Sequence, residues 1–305
     1  MRLSAIICTR NRPDLIGRAV ASVLTNDYPT FELIVVDQSD SDATARMLAP
    51  LRAVHRNLRY LHTTRVGLSA AYNTAIAESR GEVLAFTDDD CVAPRDWLRR
   101  IGTTFAREPD VDLVYGQVIT AAELRGQAGV VPELWIRTPR RISRRDGFII
   151  YGMGANFAAR RRLFEIVGGF DEALGGGGPL RSSQDFDLQY RVYRAGLVTL
   201  LAPEIVVTHY GWRSPEDWPK TLLAYGVGNG GFFMKHVRCR DLFALRLLLG
   251  DLIHVGGRDL VKAALRRPYA GAYLRGLLRG LWQSFRFRVD REHRVYLLPQ
   301  GGSAR

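Results

Sequence analysis

The sequence predicts an α/β protein in which a mostly parallel sheet carries helices on both faces and a helical C-terminal tail follows. Three observations predict it. Short runs rich in Val, Ile and Leu alternate with helix-like segments through the first third of the chain. Pro13 and Pro94 mark helix starts and Gly81 a stop. Three of the apolar runs end in polar residues suited to holding a ligand.

In chain order, the strand-like runs are Leu3–Cys8, Phe31–Val36, Leu58–Leu61, Val83–Phe86 and Val111–Val118. Continuous apolar runs of this length suit strands covered on both faces. Between them lie the helical patterns Asp14–Leu24, Asp42–Val54, Leu68–Ser79 and Arg95–Ala106, which supply the crossovers that parallel strands need. In such sheets ligands bind beyond the carboxyl ends of the strands. Thr9-Arg10-Asn11, Asp37-Gln38-Ser39 and Asp88–Asp90 therefore converge on one edge. From Ile119 to Gly147 the pattern loosens, with Arg137, Arg140, Arg141, Arg144 and Arg145 near Pro132 and Pro139. A solvated segment and an anion contact fit this stretch equally. Apolar order resumes at Phe148–Tyr151, the glycine run Gly175–Gly178 precedes a helix over Ser183–Ala195, and a helical tail covers roughly Pro215–Arg288.

The 305 residues can bury one large core or two modest ones. With 47% hydrophobic and 24% charged residues the chain is globular. A net charge of +12 points to an anionic partner, whether phosphorylated substrate, acidic membrane or nucleic acid. Cys8, Cys91 and Cys239 are odd in number and lack CxxC spacing, which indicates a reducing compartment and argues against a zinc site. No stretch reaches the roughly 18 apolar residues of a spanning helix. No charged-then-apolar leader precedes Leu3, so the expected location is cytoplasmic, with a peripheral position on the inner face of the cell membrane as an extension.

The most informative segment is Thr87-Asp88-Asp89-Asp90, directly after Val83-Leu84-Ala85-Phe86. Three carboxylates at the end of a buried strand concentrate negative charge, which suits a divalent cation with phosphate oxygens behind it. A helix cap before Pro94 would need only one of them.

These residues carry a resemblance. Ser4-Ala5-Ile6-Ile7-Cys8-Thr9-Arg10-Asn11-Arg12 resembles the opening strand and loop of the family 2 glycosyltransferases of GT-A fold, a Rossmann-like architecture. Phe31–Asp37 resembles the second strand of that family, ending in a base-reading aspartate, and Arg80-Gly81-Glu82-Val83 leading to Asp88-Asp89-Asp90 resembles its metal motif. Gly168-Gly169-Phe170-Asp171-Glu172 and Gln184-Asp185-Phe186-Asp187-Leu188 resemble its acceptor-side motifs. The similarity spans about Leu3 to Arg213. It implies a catalytic domain over 1–213, with a nucleotide-sugar half over 1–118 and an acceptor half over 119–213, and a basic amphipathic region over 214–305.

The resemblance further implies inverting transfer of a sugar from a nucleotide-diphosphate donor to a hydroxyl, assisted by Mn²⁺ or Mg²⁺. Thr9, Arg10, Asn11, Asp37, Gln38, Asp88 and Asn156 are then expected on the donor, Asp89 and Asp90 on the metal, Asp171 and Gln184 on the acceptor side. His209 matches a later histidine of the family and reads equally as a metal ligand or a satisfied strand-end residue. Asp185 is expected to be the base, because Asp187 aligns with Arg191 and Arg194 as an ion-pair residue. Arg10, Arg65 and Arg213 are candidate diphosphate partners. The chain departs from the family at Gln38, Tyr72 and Gln184, where Asp, Arg and Glu are frequent, and lacks the Gln-x-x-Arg-Trp signature of processive synthases, which argues for single-sugar transfer.

In the tail, Phe243, Leu247, Leu248 and Leu252 form one apolar stripe and Leu274, Leu277, Leu278, Leu281, Trp282 and Phe285 another, beside Arg266, Arg267, Arg275, Arg279, Arg286 and Arg288. Packing on the catalytic domain or a second protomer is one reading; an anionic membrane surface, suited to a lipid-linked acceptor, is the other. A nucleotidyltransferase is the enzymatic alternative, although Cys8-Thr9-Arg10-Asn11-Arg12-Pro13 is no glycine-rich phosphate loop. A nucleic-acid-binding module is disfavoured by scattered basic residues.

Overall fold

A computed structural model describes residues 1–265 and 269–298. The first half runs β1 (Leu3–Thr9), α1 (Pro13–Leu24), β2 (Phe31–Asp37), α2 (Ala43–Val54), β3 (Leu58–His62), α3 (Leu68–Glu78), β4 (Val83–Asp88), β5 (Cys91–Val92), α4 (Trp97–Arg107) and β6 (Val111–Thr120). There follow β7 (Arg140–Ile142), β8 (Asn156–Arg160), α5 (Arg161–Val167), α6 (Gln184–Arg194) and β9 (Val198–His209). The C-terminal part holds α7 (Trp218–Arg238), α8 (Leu242–Asp251), α9 (Gly257–Ala264), α10 (Ala272–Gln283), β10 (Arg288–Asp290) and β11 (Val295–Leu297).

The main sheet has the order β3-β2-β1-β4-β8-β6-β9-β5, with β7 on β9. Parallel pairing sets Thr9 opposite Asp37 and Cys8 opposite Asp88, so the three polar strand ends do share one edge. Side chains of β1 alternate between two cores. Leu3, Ala5 and Ile7 pack with α1, α2 and α4 through Ile16, Leu48 and Trp97. Ile6 and Cys8 pack with α3, α5 and α6 through Tyr72, Leu163 and Leu188. That period of two is what a strand buried on both faces requires. Tyr72 is engaged in an aromatic cluster with Phe86, Phe157 and Phe170.

The structure departs from the sequence reading in two places. β8 is inserted antiparallel between β4 and β6; its five residues run straight into α5 with no turn residue between them, so pairing on both sides defines the strand. The tail is a layer of helices broken by a π turn at Leu252–Gly256 and closed by the β10–β11 hairpin. Arg266 and Arg267 lie outside the described residues.

α7 and α10 cross in contact at glycines. A Cβ on Gly226 would collide with the Tyr273 carbonyl, one on Gly276 with that of Leu223, and one on Gly280 with that of Val227. Gly276→Ala is therefore expected to cost about 3 kcal/mol, the upper range of overpacking, because backbone cannot yield as a side chain can. Gly250→Ala on α8 is the control, since nothing lies within 4 Å of its added methyl, and it should stabilise by about 0.5–1 kcal/mol. Urea titrations of the two variants check both signs.

Candidate active site

At the carboxyl edge of the sheet lies a cavity of about 660 Å³. Its walls come from the ends of β1 and β4, the 152–155 loop before β8, the glycine loop at 176–177, the start of α6, and His209 at the end of β9. Tyr225 and Asn229 of α7 and Tyr273 of α10 complete it, so the C-terminal layer belongs to the site.

Asp89 and Asp90 are buried at the end of β4. The Thr9 hydroxyl donates to Asp89 Oδ2 at 2.6 Å, and Arg12 donates to Asp89 Oδ1 at 2.5 Å and to Asp90 Oδ2 at 2.7 Å. His209 Nε2 is 3.2 Å from Asp90 Oδ1. Its Nδ1 donates to the Pro132 carbonyl at 2.7 Å, which fixes the tautomer and leaves Nε2 turned toward the acids.

Burial, then the charge on Asp90, push the Asp88 carboxyl up to about 7. Burial also pushes Asp89 up to about 6, against Arg12 and Thr9. Burial opposes ionisation of Asp90 too, but the hydrogen bond and charge of His209, followed by Arg12, hold it far below the usual carboxylate range. Burial alone would lower His209, yet its bond to Asp90 raises it above its ordinary value. The acids thus depend on nearby positive charge, the condition a cation relieves.

The donor set fits a hard divalent ion. Carboxylate oxygens and one imidazole match Mg²⁺ or Mn²⁺. A side chain at Gly211 would collide with His209 Nε2 and with Asp90 Oδ2, so the glycine keeps that approach open. Asp90, Cys91 and His209 place ligand atoms within 4.8 Å of one another. Burial and the charge on Asp88 push the Cys91 thiol well up, however, and it stays protonated and a poor ligand.

Asp185 lines the same cavity from the first turn of α6. Its Oδ2 accepts from the Gly154 N–H at 3.0 Å and its Oδ1 from the Phe186 N–H at 3.0 Å. Burial nevertheless raises its pKa above that of an ordinary aspartate, against those two donors. Just before the helix, Arg181 and Ser183 adopt left-handed backbone conformations, φ 68° and 71°. Ser183 is held by a chain of bonds through Asn229 and Tyr273 to Asp251 on α8.

One turn along, Asp187 anchors α6 from behind. It bonds Arg191 Nε at 2.9 Å, His236 Nε2 at 2.9 Å and Lys235 Nζ at 2.6 Å, all fully buried or nearly so. Lys235 also lies 2.6 Å from Asp171. Arg194, expected alongside Arg191, pairs with Asp241 instead.

The structure thus brings Thr9, Arg10, Gln38, Asp88, Asp89, Asp90, Gln184, Asp185, His209 and Arg213 to one cavity. Other expected residues point elsewhere. Asn156 is fully buried, with Oδ1 accepting from Trp97 and Nδ2 donating to the carbonyls of Gln117 and Ile205, so it ties strands together and has no face toward a sugar. Asp171 is buried under the tail, bonded to Lys235 and the Tyr296 N–H, and not on the acceptor side. Asp37 is buried and accepts from the Tyr60 hydroxyl and the Ser39 N–H. Gln38 lines the cavity, yet both its amide hydrogens go to the carbonyls of Arg65 and Gly67, holding that loop. Asn11 clasps Asp40. Arg65 pairs with Glu172, outside the cavity.

Sequence reasoning did not single out Arg12, Gly211, Tyr225, Asn229 or Tyr273. Arg12 was legible in principle: it follows the first strand end by three residues, on the edge where the acids gather. The tail residues carry no local signal, since only the crossing of α7 and α10 brings them to the site.

Residues 4–168 match the family model described as Glycosyl transferase family 2. The chain belongs to glycosyl transferase family 2. It is 28% identical over 253 residues to glycosyltransferase AglE of Haloferax volcanii, covering 80% of this chain and 79% of that one. It is 30% identical over 207 residues to the succinoglycan biosynthesis protein ExoM of Rhizobium meliloti, covering 65% and 63%. Among solved structures, the mannosyltransferase PcManGT from Pyrobaculum calidifontis, in complex with GDP-Man and Mn²⁺, superposes with a TM-score of 0.60 at 20% identity, covering 93% of this chain and 87% of that one. The fold is GT-A, and the chain is a family 2 glycosyltransferase.

Proposed function

We propose that this family 2 enzyme is a metal-dependent, inverting transferase that moves a single sugar from a nucleotide-diphosphate donor to a hydroxyl of a saccharide or lipid-linked acceptor, in cell-envelope or other glycan assembly. One observation carries the reading: Asp185 and the Asp88–Asp90 cluster with His209 line the same cavity, so a proton acceptor and a charge-neutralising centre face one space. The Mn²⁺ bound by PcManGT and the name of the ExoM relative support the cation and the glycan.

In this reading residues 1–118 form the donor half and 119–213 the acceptor half, and the helices beyond 213 close the acceptor side through Tyr225 and Asn229. Asp89, Asp90 and His209 would hold Mn²⁺ or Mg²⁺, which when bound would neutralise charge on the leaving diphosphate. Arg10, Arg12 and Arg213 offer guanidinium groups to the phosphate oxygens. Asp88, at the strand edge, faces the ribose. Asp185, ionised, accepts the hydroxyl proton as the acceptor oxygen attacks the anomeric carbon. Attack from the face opposite the leaving diphosphate would then invert the configuration at that carbon. Gln184 borders the acceptor, while Gln38 positions the 65–67 loop.

A thermal-shift panel tests the donor class. Saturating GDP, UDP or dTDP with Mn²⁺ is expected to raise the melting temperature for one base, since a ligand at about 100 times its Kd stabilises by about 2.7 kcal/mol. A response confined to nucleoside triphosphates would favour a nucleotidyltransferase and overturn the reading.

A further inference from the structure

We propose that the outward face of α8, the π turn and α9 is a docking surface for an anionic phospholipid bilayer. Leu242, Leu245, Leu249, Ile253 and Leu260 follow one another at steps of three, four, four and seven, and all are solvent-exposed, Leu242 at 80% and Ile253 at 69%. The opposite face of α8 already has its partner: Ala244 and Leu248 are buried against Phe232 and Phe233 of α7. A helix apolar on both sides needs a second apolar medium beyond the one its core supplies.

Charge selects that medium. Between Leu242 and Leu265 the acids are Asp251 and Asp259. Both turn inward: Asp251 accepts from the Tyr273 hydroxyl at 2.7 Å, and Asp259 from the Gly271 N–H at 2.9 Å and the Leu274 N–H at 3.1 Å. The exposed charged residues of this run are Arg246, Arg258 and Lys262, all basic among the described residues. Two copies meeting face to face would set these cations against each other, whereas anionic headgroups complement them. No described helix is long and apolar enough to cross a membrane, so the surface lies in the interface plane. Asp251 heads the bond chain that reaches Ser183 beside Asp185, so the docked surface and the start of α6 share one polar network.

The test is flotation of the full chain with phosphatidylcholine vesicles, with and without phosphatidylglycerol, at low and high salt, read without donor or acceptor and hence independent of the transfer chemistry. The chain is expected to float with the anionic vesicles about tenfold or more in preference to neutral ones, and salt should weaken this. The double variant Leu249→Glu/Ile253→Glu should lose flotation while keeping the wild-type melting temperature, since both positions are exposed. Arg246→Gln/Lys262→Gln should lose the preference for anionic lipid. Absent or charge-independent flotation overturns the proposal. So does a stable dimer that the Leu249→Glu/Ile253→Glu variant dissociates, which would make the face a contact between copies.

Discussion

Asp185→Asn is expected to lower the transfer rate by about 10³-fold, within the range for loss of a positioned base, while the affinity for nucleotide diphosphate stays close to wild type. The amide keeps the shape of the carboxylate and its oxygen can still accept from the Gly154 N–H, while its nitrogen gives up the bond from the Phe186 N–H. The fold is therefore retained at a small cost in stability, and proton acceptance is lost. Burial raises the Asp185 pKa, and this sets the sign of the pH dependence. A base works when ionised, so wild-type kcat/KM should climb as pH rises through that elevated pKa and level off above it. The residual activity of the Asn variant should not show that limb. Steady-state rates across pH, with donor affinity by calorimetry, check both statements. A variant that turns over at the wild-type rate removes Asp185 from the mechanism, whereas one that loses donor affinity in proportion to rate would recast Asp185 as a donor contact.

The parallel half of the fold was legible because its strands are buried on both faces and end in a shared edge of polar residues, a pattern written locally in Leu3–Thr9, Phe31–Asp37 and Val83–Asp88. β8 escaped notice because its strand character is conferred by β4 and β6 and not by Asn156-Phe157-Ala158-Ala159-Arg160 itself. Asp88–Asp90 were found from their place at the end of a buried strand, and Asp185 through the resemblance to the family. Asn156 and Asp171 were misplaced for a common physical reason. A polar residue in a recognisable motif reads the same whether it faces a cavity or satisfies a buried neighbour, and here the neighbours are distant in sequence: Trp97 and Ile205 for the first, Lys235 and Tyr296 for the second. The reading of Asp187 succeeded because its main partner, Arg191, lies one turn away on the same helix. Lys235 and His236, which double the network, come from α7 and leave no trace near Asp187 in the sequence.

Asp89→Asn is expected to abolish the Mn²⁺-dependent part of the nucleotide-induced thermal shift and to cut transfer by about 10²–10³-fold, the scale for removing one electrostatic contact to a developing charge. Asp89 is buried, accepts from Thr9 and Arg12, and belongs to a cluster whose ionisation already leans on Arg12 and His209. Halving its acceptor capacity weakens hold on a cation without emptying the site, so the ligand-free protein should keep its fold and its affinity for acceptor. Chelation of divalent ions from the wild-type enzyme should reproduce the loss, and added Mn²⁺ or Mg²⁺ should restore it. The informative contrary result is chelation that leaves transfer intact while Asp89→Asn still abolishes it. The leaving diphosphate would then be neutralised by arginine, and Arg12, which donates to Asp89 at 2.5 Å and to Asp90 at 2.7 Å, would be the group in position to do so. Arg12→Met separates the cases. Under metal dependence it lowers the rate modestly and leaves the Mn²⁺ response in place; under arginine dependence it removes transfer with or without the ion.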